Sequence, residues 1–262
     1  MYQKEYAAVG QAAVGKARFL QDNPVGYLLS SMLAGVYVGF GILLVFTIGG
    51  QLGAVPETKF VMGISFGVAL SLVVMAGAEL FTGNNLVMTG GWIQRKVTGK
   101  QTLLLWVVCF LGNWLGAVLL SMLFLGTGLA QDSAVEAFIL SAAEGKMSAD
   151  ALALFLRGML CNMLVCLAVW CGFRCKSESG KLIMIFWCLF AFLTTGFEHS
   201  VANMTLLTTA LCLDTTGTLT LGGYLYNLSL VTLGNVAGGV IGLAIPYAII
   251  AKKKEVQVWG TA

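Results

Sequence analysis

Six apolar stretches alternate with short polar segments along this chain of 262 residues. A helix needs about 20 predominantly apolar residues to cross a bilayer. Six stretches reach that length, at about residues 25–48, 60–89, 102–125, 151–173, 182–211 and 223–251. The pattern therefore predicts an all-α integral membrane protein with six transmembrane helices, called spans one to six below.

Polar residues interrupt spans two and five at corresponding places. Residues 77–84 read GAELFTGN and residues 196–203 read GFEHSVAN, so glycine, glutamate and asparagine recur at a constant offset of 119 residues. Paired breaks in the two halves of a membrane protein point to a transport site near the bilayer midplane. Because each half holds three spans, an odd number, consecutive copies must lie in opposite orientations.

We therefore expect a 3+3 inverted repeat in which helices two and five are broken. Repeat one covers about residues 24–125 and repeat two about 151–251, within a single transmembrane channel domain over residues 1–262. The sequence GNWLG at 112–116 matches GNVAG at 234–238, and small residues at this spacing let helix backbones approach closely in lipid. The asparagines of these motifs, Asn113 and Asn235, are expected to form hydrogen bonds across helices.

Composition supports a membrane protein and limits its chemistry. Hydrophobic residues make up 58% of the chain and charged residues 10%, against about 25% charged residues in a soluble domain. The seven cysteines include no CxxC pair, and we interpret them as small buried packing residues. We therefore expect no metal site, no cofactor and no nucleic-acid partner, with the lipid bilayer as the surroundings of the protein.

Loop charges predict the orientation. If six spans alternate, most lysines and arginines fall on one side of the membrane, and positively charged loops stay in the cytoplasm. We therefore expect both termini in the cytoplasm and the protein in the inner (cytoplasmic) membrane. The predicted cytoplasmic side carries Lys4, Lys16, Arg18, Arg95, Lys96, Lys100, Arg174, Lys176, Lys181 and the lysines at 252–254, and the other side carries Lys59 and Lys146 among Glu57, Asp132, Glu136, Glu144, Asp150 and Asp214.

Three ionisable residues, Glu79, Glu198 and His199, lie within the breaks, where an isolated charge costs on the order of 2.5–3.5 kcal/mol on insertion scales. Free N–H groups at the start of an interrupted helix attract carboxylates. We interpret Glu79 and Glu198, with Asn203, as groups that stabilise the broken loops, and a proton relay is the alternative. His199, the only histidine, lies in the second break, and the repeat places it opposite the Leu80–Thr82 turn of the other repeat. It is either a buried core residue whose hydrogen bonds are satisfied within the protein, or a residue that donates a hydrogen bond or a proton to an anion.

Apolar residues near the breaks have two interpretations. Phe66 and Leu70 share a face of span two, and Phe192 lies before the break in span five. They are either plain core residues or apolar constrictions that block hydrated ions. Lys146 stands in an acidic loop before span four, either as a solvated surface residue or as an electropositive group at an outer mouth.

Three motifs resemble the formate/nitrite transporter family: VMAGAELFTG at 74–83, GMLCNMLVCLA at 158–168 and GFEHSVAN at 196–203. The resemblance covers nearly the whole chain. It implies an aquaporin-like fold and a homopentamer in which each six-helix protomer holds its own pore. It further implies a central polar site of Thr82, Asn162 and His199, an inner constriction of Leu70 and Leu80, an outer constriction of Phe66, Phe81, Val165 and Phe192, and a vestibule lysine, Lys146.

The family implies transport of small monovalent anions of weak acids, namely formate, nitrite, hydrosulfide and related anions. The turn FTGNN at 81–85 and the glutamate at 79 look closer to the hydrosulfide channels. Hydrosulfide is therefore the preferred substrate, and formate or nitrite is the alternative. A proton-coupled transporter is a further alternative, since inverted repeats with broken helices suit alternating access. One histidine and scattered cysteines provide little catalytic chemistry, so we do not expect an enzyme.

Overall fold

The computed structural model describes residues 1–252, and this part of the chain is helical and contains no strand. Lys253 and Lys254, part of the cationic run predicted to end span six, lie outside the described residues. A 3₁₀ turn (Leu129–Gln131) and a π-helical segment (Gly238–Ala244) accompany the α-helices. In chain order these are α1 (Gln3–Asp22), α2 (Pro24–Leu52), α3 (Thr58–Ser65), α4 (Gly67–Ala76), α5 (Phe81–Ile93), α6 (Gly99–Gly126), α7 (Ser133–Met147), α8 (Ala151–Arg174), α9 (Glu178–Thr195), α10 (Ser200–Leu213), α11 (Leu221–Ala237) and α12 (Ile245–Ala251).

Helices at six places are long and apolar enough to cross a membrane, which confirms the six predicted spans. Spans one, three and four are the continuous helices α2, α6 and α8. Span two consists of α3 and α4 followed by α5, and span five of α9 followed by α10. Span six runs from α11 through the π-helical segment to α12. Large apolar side chains remain exposed along these helices, as expected for surfaces that contact lipid or another membrane chain.

Two further helices, α1 and α7, are not predicted by the apolar pattern because neither contains a long apolar run. The first, α1, buries Val9 and Ala13 against the rest of the protomer. The second, α7, begins after Asp132, whose carboxylate accepts hydrogen bonds from the Ala134 and Val135 amides at 3.1 and 3.3 Å. Each helix precedes the first span of a repeat, so the structural repeat consists of one preceding helix and three spans.

Glycines allow close packing of the first and third spans of each repeat. α2 packs against α6, and α8 packs against α11. A Cβ atom on Gly116 would collide with the carbonyl oxygen of Met32, and one on Gly238 would collide with that of Met159. The predicted role of the two GxxxG motifs in helix packing is therefore confirmed.

The two breaks are turns of matching geometry. α4 ends at Gly77 and α9 ends at Gly196, with φ angles of 77° and 81°. Both angles lie in the left-handed region, which glycine adopts without the strain that a Cβ atom would cause. Three residues follow each glycine before α5 begins at Phe81 and α10 begins at Ser200. The helices α5 and α10 therefore start in the interior of the protomer.

Candidate functional site

A buried asparagine holds the first broken loop in place. Asn113 of α6 accepts a hydrogen bond from the Phe81 amide at 2.9 Å and donates to the carbonyl oxygens of Ser31 and Glu79 at 2.7 and 2.9 Å. It thereby satisfies a free N–H group at the start of α5 and a carbonyl group of the loop, and it ties both to α2. Unsatisfied backbone groups are costly inside a membrane, so this side chain stabilises the break.

Asn235 of α11 makes the same contacts in the second repeat. It accepts from the Ser200 amide at 2.9 Å and donates to the carbonyl oxygens of Gly158 and Glu198 at 2.8 and 3.0 Å. The predicted hydrogen bonding of Asn113 and Asn235 across helices is confirmed. We call these two side chains the asparagine clamps.

The carboxylates of the breaks bind lysines. Lys16 of α1 donates to both carboxylate oxygens of Glu79 at 2.7 Å, and Lys146 of α7 donates to those of Glu198 at 2.7 and 2.6 Å. The interpretation that Glu79 and Glu198 accept hydrogen bonds from free backbone amides is therefore wrong. The asparagine clamps accept the first amides of α5 and α10, those of Phe81 and Ser200, and the carboxylates are bound by the ammonium groups instead.

A second asparagine in each repeat completes the carboxylate site. Asn84 Nδ2 donates to Glu79 at 2.9 Å, and Asn203 Nδ2 donates to Glu198 at 2.7 Å. Removing a pair of charges from water is offset only when further hydrogen bonds satisfy the remaining lone pairs. The two asparagines supply such bonds and attach each carboxylate to the helix that follows its break.

Lys16 and Tyr27 belong to this site but are not identified by the sequence reasoning. Tyr27 donates its O–H to Glu79 at 3.2 Å, and Lys16 forms the ion pair described above. The signal for Lys16 lies in the repeat, since it precedes Lys146 by 130 residues, close to the offset of 127 residues between Met32 and Met159 in the first spans. The polar composition around residue 16 conceals that correspondence.

His199 joins the two breaks. Its Nε2 lies 2.9 Å from Thr82 Oγ1, and its Nδ1 accepts the Ala202 amide at 3.1 Å as the N-cap of α10. Because a backbone amide can only donate, Nδ1 is unprotonated, and the proton of the neutral ring lies on Nε2. His199 therefore donates to Thr82, which is buried and lines neither the chamber nor the two vestibules formed by residues 1–252, so Thr82 orients the His199 ring.

This arrangement suits a neutral imidazole ring. Protonation of Nδ1 would break its bond to Ala202 and would place a charge on a side chain of a residue that is 4% exposed. Burial of such a charge without a partner is unfavourable. Both ring nitrogens have protein partners, so this geometry disfavours donation of a proton, and a ligand has to compete with Thr82 for the hydrogen bond of Nε2.

Asn162 lies behind the Thr82 turn. Its Nδ2 is 2.6 Å from the Asn235 carbonyl oxygen, 2.9 Å from Asn85 Oδ1 and 3.3 Å from the Thr82 carbonyl oxygen. These acceptors occupy both amide hydrogens. Asn162, expected in the central polar site, therefore contacts that site through the Thr82 backbone. Gly239 of the π-helical segment permits this packing, since a Cβ there would lie 3.0 Å from Asn162 Nδ2.

Two cavities and a small chamber lie in a row through the protomer. Vestibule A has a volume of about 220 Å³ and is lined by Lys146, among other residues. Vestibule B has a volume of about 340 Å³ and is lined by Lys16. The central chamber has a volume of about 10 Å³, and its lining is apolar apart from His199. Such a volume is at the lower limit for one water molecule, so a hydrated ion does not fit.

Shared side chains connect the three spaces. Phe192 and His199 line both vestibule A and the central chamber. Leu70 and Leu80 line both the central chamber and vestibule B. The route from one vestibule to the other therefore passes an aromatic narrowing, the His199 ring and an aliphatic narrowing.

Two more of the expected constriction residues lie at the chamber. Phe66 and Val165 line it together with Phe192. The rings of Phe66 and Phe192 meet edge to face with centroids 5.5 Å apart, and the Phe192 ring stacks on that of His199 at 6.0 Å. The aromatic narrowing is therefore continuous with the polar site.

Phe81 is not part of this narrowing, contrary to the expectation. Its ring centroid lies 5.2 Å from that of Phe110 and 6.4 Å from that of Trp106, both on α6. It lines neither the chamber nor the two vestibules as they are formed by residues 1–252. The physical reason is that the first turn of α5 directs Thr82 toward His199 and thereby turns Phe81 toward α6.

Comparisons with known proteins agree with this fold. A family model described as formate/nitrite transporter matches residues 3–249. The chain is 40% identical over 232 residues to the nitrite transporter NirC of Escherichia coli (strain K12), covering 88% of this chain and 85% of that protein. A solved FNT family ion channel matches with a TM-score of 0.90 at 38% identity, over 95% of this chain and 99% of that one. A pentameric formate channel with formate bound matches with a TM-score of 0.78 at 26% identity, over 87% and 97% of the respective chains.

Proposed function

The chain belongs to the formate/nitrite transporter family, and on that premise we propose that it is a channel for small monovalent anions of weak acids, with a conduction path inside each protomer. One observation carries the proposal. Two vestibules are joined through a central chamber whose lining is apolar apart from His199. Such a path excludes hydrated and bare ions but suits a small molecule that can lose its charge.

The mechanism follows from hydration and charge. An anion enters a vestibule with its water shell and reaches Phe192 or Leu80 at the edge of the chamber. Because the bare anion is costly to bury, the neutral acid is the species that crosses. It forms in one vestibule when the anion takes up a hydrated proton from solution, and it releases that proton to water in the other vestibule. The His199 ring lies midway, held by Thr82, and a polar neutral molecule that takes over its Nε2 hydrogen bond is stabilised there without a trapped charge.

The relatives guide the choice of substrate. The relative with 40% identity is a nitrite transporter, and the pentameric structure is a formate channel. We therefore place nitrite and formate first among the anions to be tested. The preference for hydrosulfide rests on Glu79 and the turn at 81–85 and stays a prediction, since hydrosulfide is also a small weak-acid anion that this path would accept.

Reconstituted protein should carry nitrite, formate and hydrosulfide into liposomes without an imposed proton gradient and should exclude chloride. Chloride is excluded because its acid is too strong to become neutral in water. Phe192→Ala should raise uptake of each weak acid and weaken chloride exclusion, since it removes the ring shared by vestibule A and the chamber. Ion-selective electrodes measure uptake, with protein-free liposomes as the control.

Two results would contradict this function. Chloride entry at the rate of nitrite entry would show that the apolar chamber is not the filter. Weak-acid uptake that requires an imposed proton gradient would instead indicate a coupled transporter, the alternative that inverted repeats with broken helices also allow.

Assembly and domain organisation are proposed on the same basis. A homopentamer is favoured because the formate channel with the same fold is pentameric. Each protomer would be a single transmembrane domain, residues 1–262, with its own conduction path. Native mass spectrometry of the detergent-solubilised protein checks the number of subunits, and a monomer or dimer as the stable species would contradict the proposal.

The cationic loops favour the inner membrane with both termini in the cytoplasm, so that vestibule A opens to the outside. In a variant without native cysteines, an impermeant thiol reagent added to intact spheroplasts should label Asp132→Cys. Arg95→Cys should react only after the membrane is opened. Both positions are exposed on the protomer, so access and not burial decides the result. The reverse labelling pattern would invert the orientation.

A further inference from the structure

The charges that line vestibule A do not cancel. Lys146 donates to both oxygens of Glu198 at 2.7 and 2.6 Å, so this pair adds no net charge to the vestibule. Lys59, at the start of α3, lines the same vestibule and is exposed. Its ammonium group forms no ion pair within residues 1–252. Lys59 is thus the unpaired positive charge among the residues that line vestibule A.

Vestibule B differs in this respect. It is lined by Lys16 and Lys181. Lys16 is bound by Glu79 at 2.7 Å, and Lys181 lies 2.9 Å from Glu178 on the adjacent turn of α9. Both lysines of vestibule B therefore have a carboxylate partner, and that vestibule has no counterpart of the unpaired lysine.

The two vestibules differ in charge because α3 and α9, the first helices of the two broken spans, carry different residues at corresponding positions. The repeat offset of 119 residues places Lys59 of α3 at the position of Glu178 in α9, and Met62 at the position of Lys181. The two repeats therefore share the lysine–glutamate pairs at the breaks but not the charges nearer the mouths.

We propose that Lys59 recruits anions to vestibule A and makes that mouth bind anions more tightly than vestibule B. The inference rests on the proposed anion conduction. An unpaired charge at the mouth of a water-filled cleft with apolar walls raises the local concentration of anions, whereas an ammonium group already held by a carboxylate exerts little field at a distance. Lys146, expected from the sequence to attract anions, lines the same vestibule and is bound to Glu198, and its part in attracting anions stays a prediction.

Lys59→Gln should raise the nitrite concentration for half-maximal uptake through vestibule A about threefold at low ionic strength, as expected for loss of one charge at a wet mouth. The shift should shrink between about 0.01 M and about 0.15 M salt, because the screening length falls from about 30 Å to about 8 Å. Maximal uptake should not change, since the chamber is untouched. Right-side-out vesicles report on vestibule A, and inside-out vesicles, where no shift is expected, report on vestibule B.

Two matched variants separate charge from structure. Lys59→Arg keeps the charge and should restore the parental value. Glu57→Gln changes the net charge by one unit at an exposed residue that does not line the vestibule, and it should have little effect. An equal shift at both salt concentrations, on both faces, or in Glu57→Gln would overturn the inference. A parental protein that takes up none of nitrite, formate and hydrosulfide would overturn the proposed function itself, and this inference with it.

Discussion

Replacing His199 with Asn should reduce nitrite and formate uptake by about tenfold, which corresponds to about 1.4 kcal/mol, the upper part of the range for one neutral hydrogen bond. Asn is a favoured N-cap residue, so its side-chain oxygen can still accept the Ala202 amide and keep α10 intact. The shorter side chain does not also reach Thr82, which the imidazole ring contacts at 2.9 Å with its opposite nitrogen. The variant should therefore fold and conduct poorly.

The pH profile of the same variant separates two roles of His199. If the neutral acid crosses, uptake rises as external pH falls, because the protonated fraction of the substrate grows. Since His199 is a neutral hydrogen-bond donor in this geometry, His199→Asn should keep that dependence at a lower amplitude. A flat pH profile in the variant would instead show that His199 supplies the proton.

Thr82→Val provides the matched control for the other end of this hydrogen bond. It removes the hydroxyl group at nearly the same side-chain shape and should lower uptake by a similar factor. The double variant should be little worse than either single variant, because both substitutions remove one shared interaction. Losses that add would show that His199 and Thr82 act independently.

The spans and breaks could be predicted from sequence because lipid leaves few alternatives to a helix. An apolar run of about 20 residues in a bilayer has to satisfy its backbone internally. The recurrence of glycine and glutamate 119 residues apart marked both interruptions, at Gly77 and Gly196. These features depend on local composition and on repetition, and both can be read from one chain.

The partners of the charged groups depend on tertiary packing. The pattern of apolar and polar residues along the sequence carries no information about that packing. Lys16 lies on a helix too polar to be recognised from apolar runs, and it reaches Glu79 across 63 residues of chain. The directions of Phe81 and Asn162 likewise depend on how α5 packs against α6 and α8. A sequence motif gives the positions of Phe81 and Asn162 in the chain. It does not show which side of each helix faces the conduction path.

The largest expected effect on stability belongs to the asparagine clamps. Asn113→Ala would leave the Phe81 amide without a partner, while the Glu79 carbonyl oxygen keeps the Cys109 thiol at 3.2 Å and Ser31 keeps its bond within α2. A buried polar group left unsatisfied costs about 1–3 kcal/mol, so this variant should lose roughly 1–3 kcal/mol of stability. Asn235→Ala leaves two such groups, the Ser200 amide and the Glu198 carbonyl oxygen, and should lose roughly 2–6 kcal/mol. Thermal unfolding of the detergent-solubilised protein measures both losses.

Ser121→Ala is the control because Ser121 is also buried on α6 and also bonds to backbone. Its hydroxyl donates to the carbonyl oxygens of Ala117 and Thr205 at 2.9 and 3.2 Å. Both carbonyls lie within helices and keep their backbone partners, so its removal should cost less than about 1 kcal/mol. If Asn113→Ala unfolds at the same temperature as Ser121→Ala, the asparagine clamp does not hold the break. The Lys16–Glu79 ion pair would then be what holds the break. In that case Lys16→Ala should show the loss of stability that we expect for Asn113→Ala.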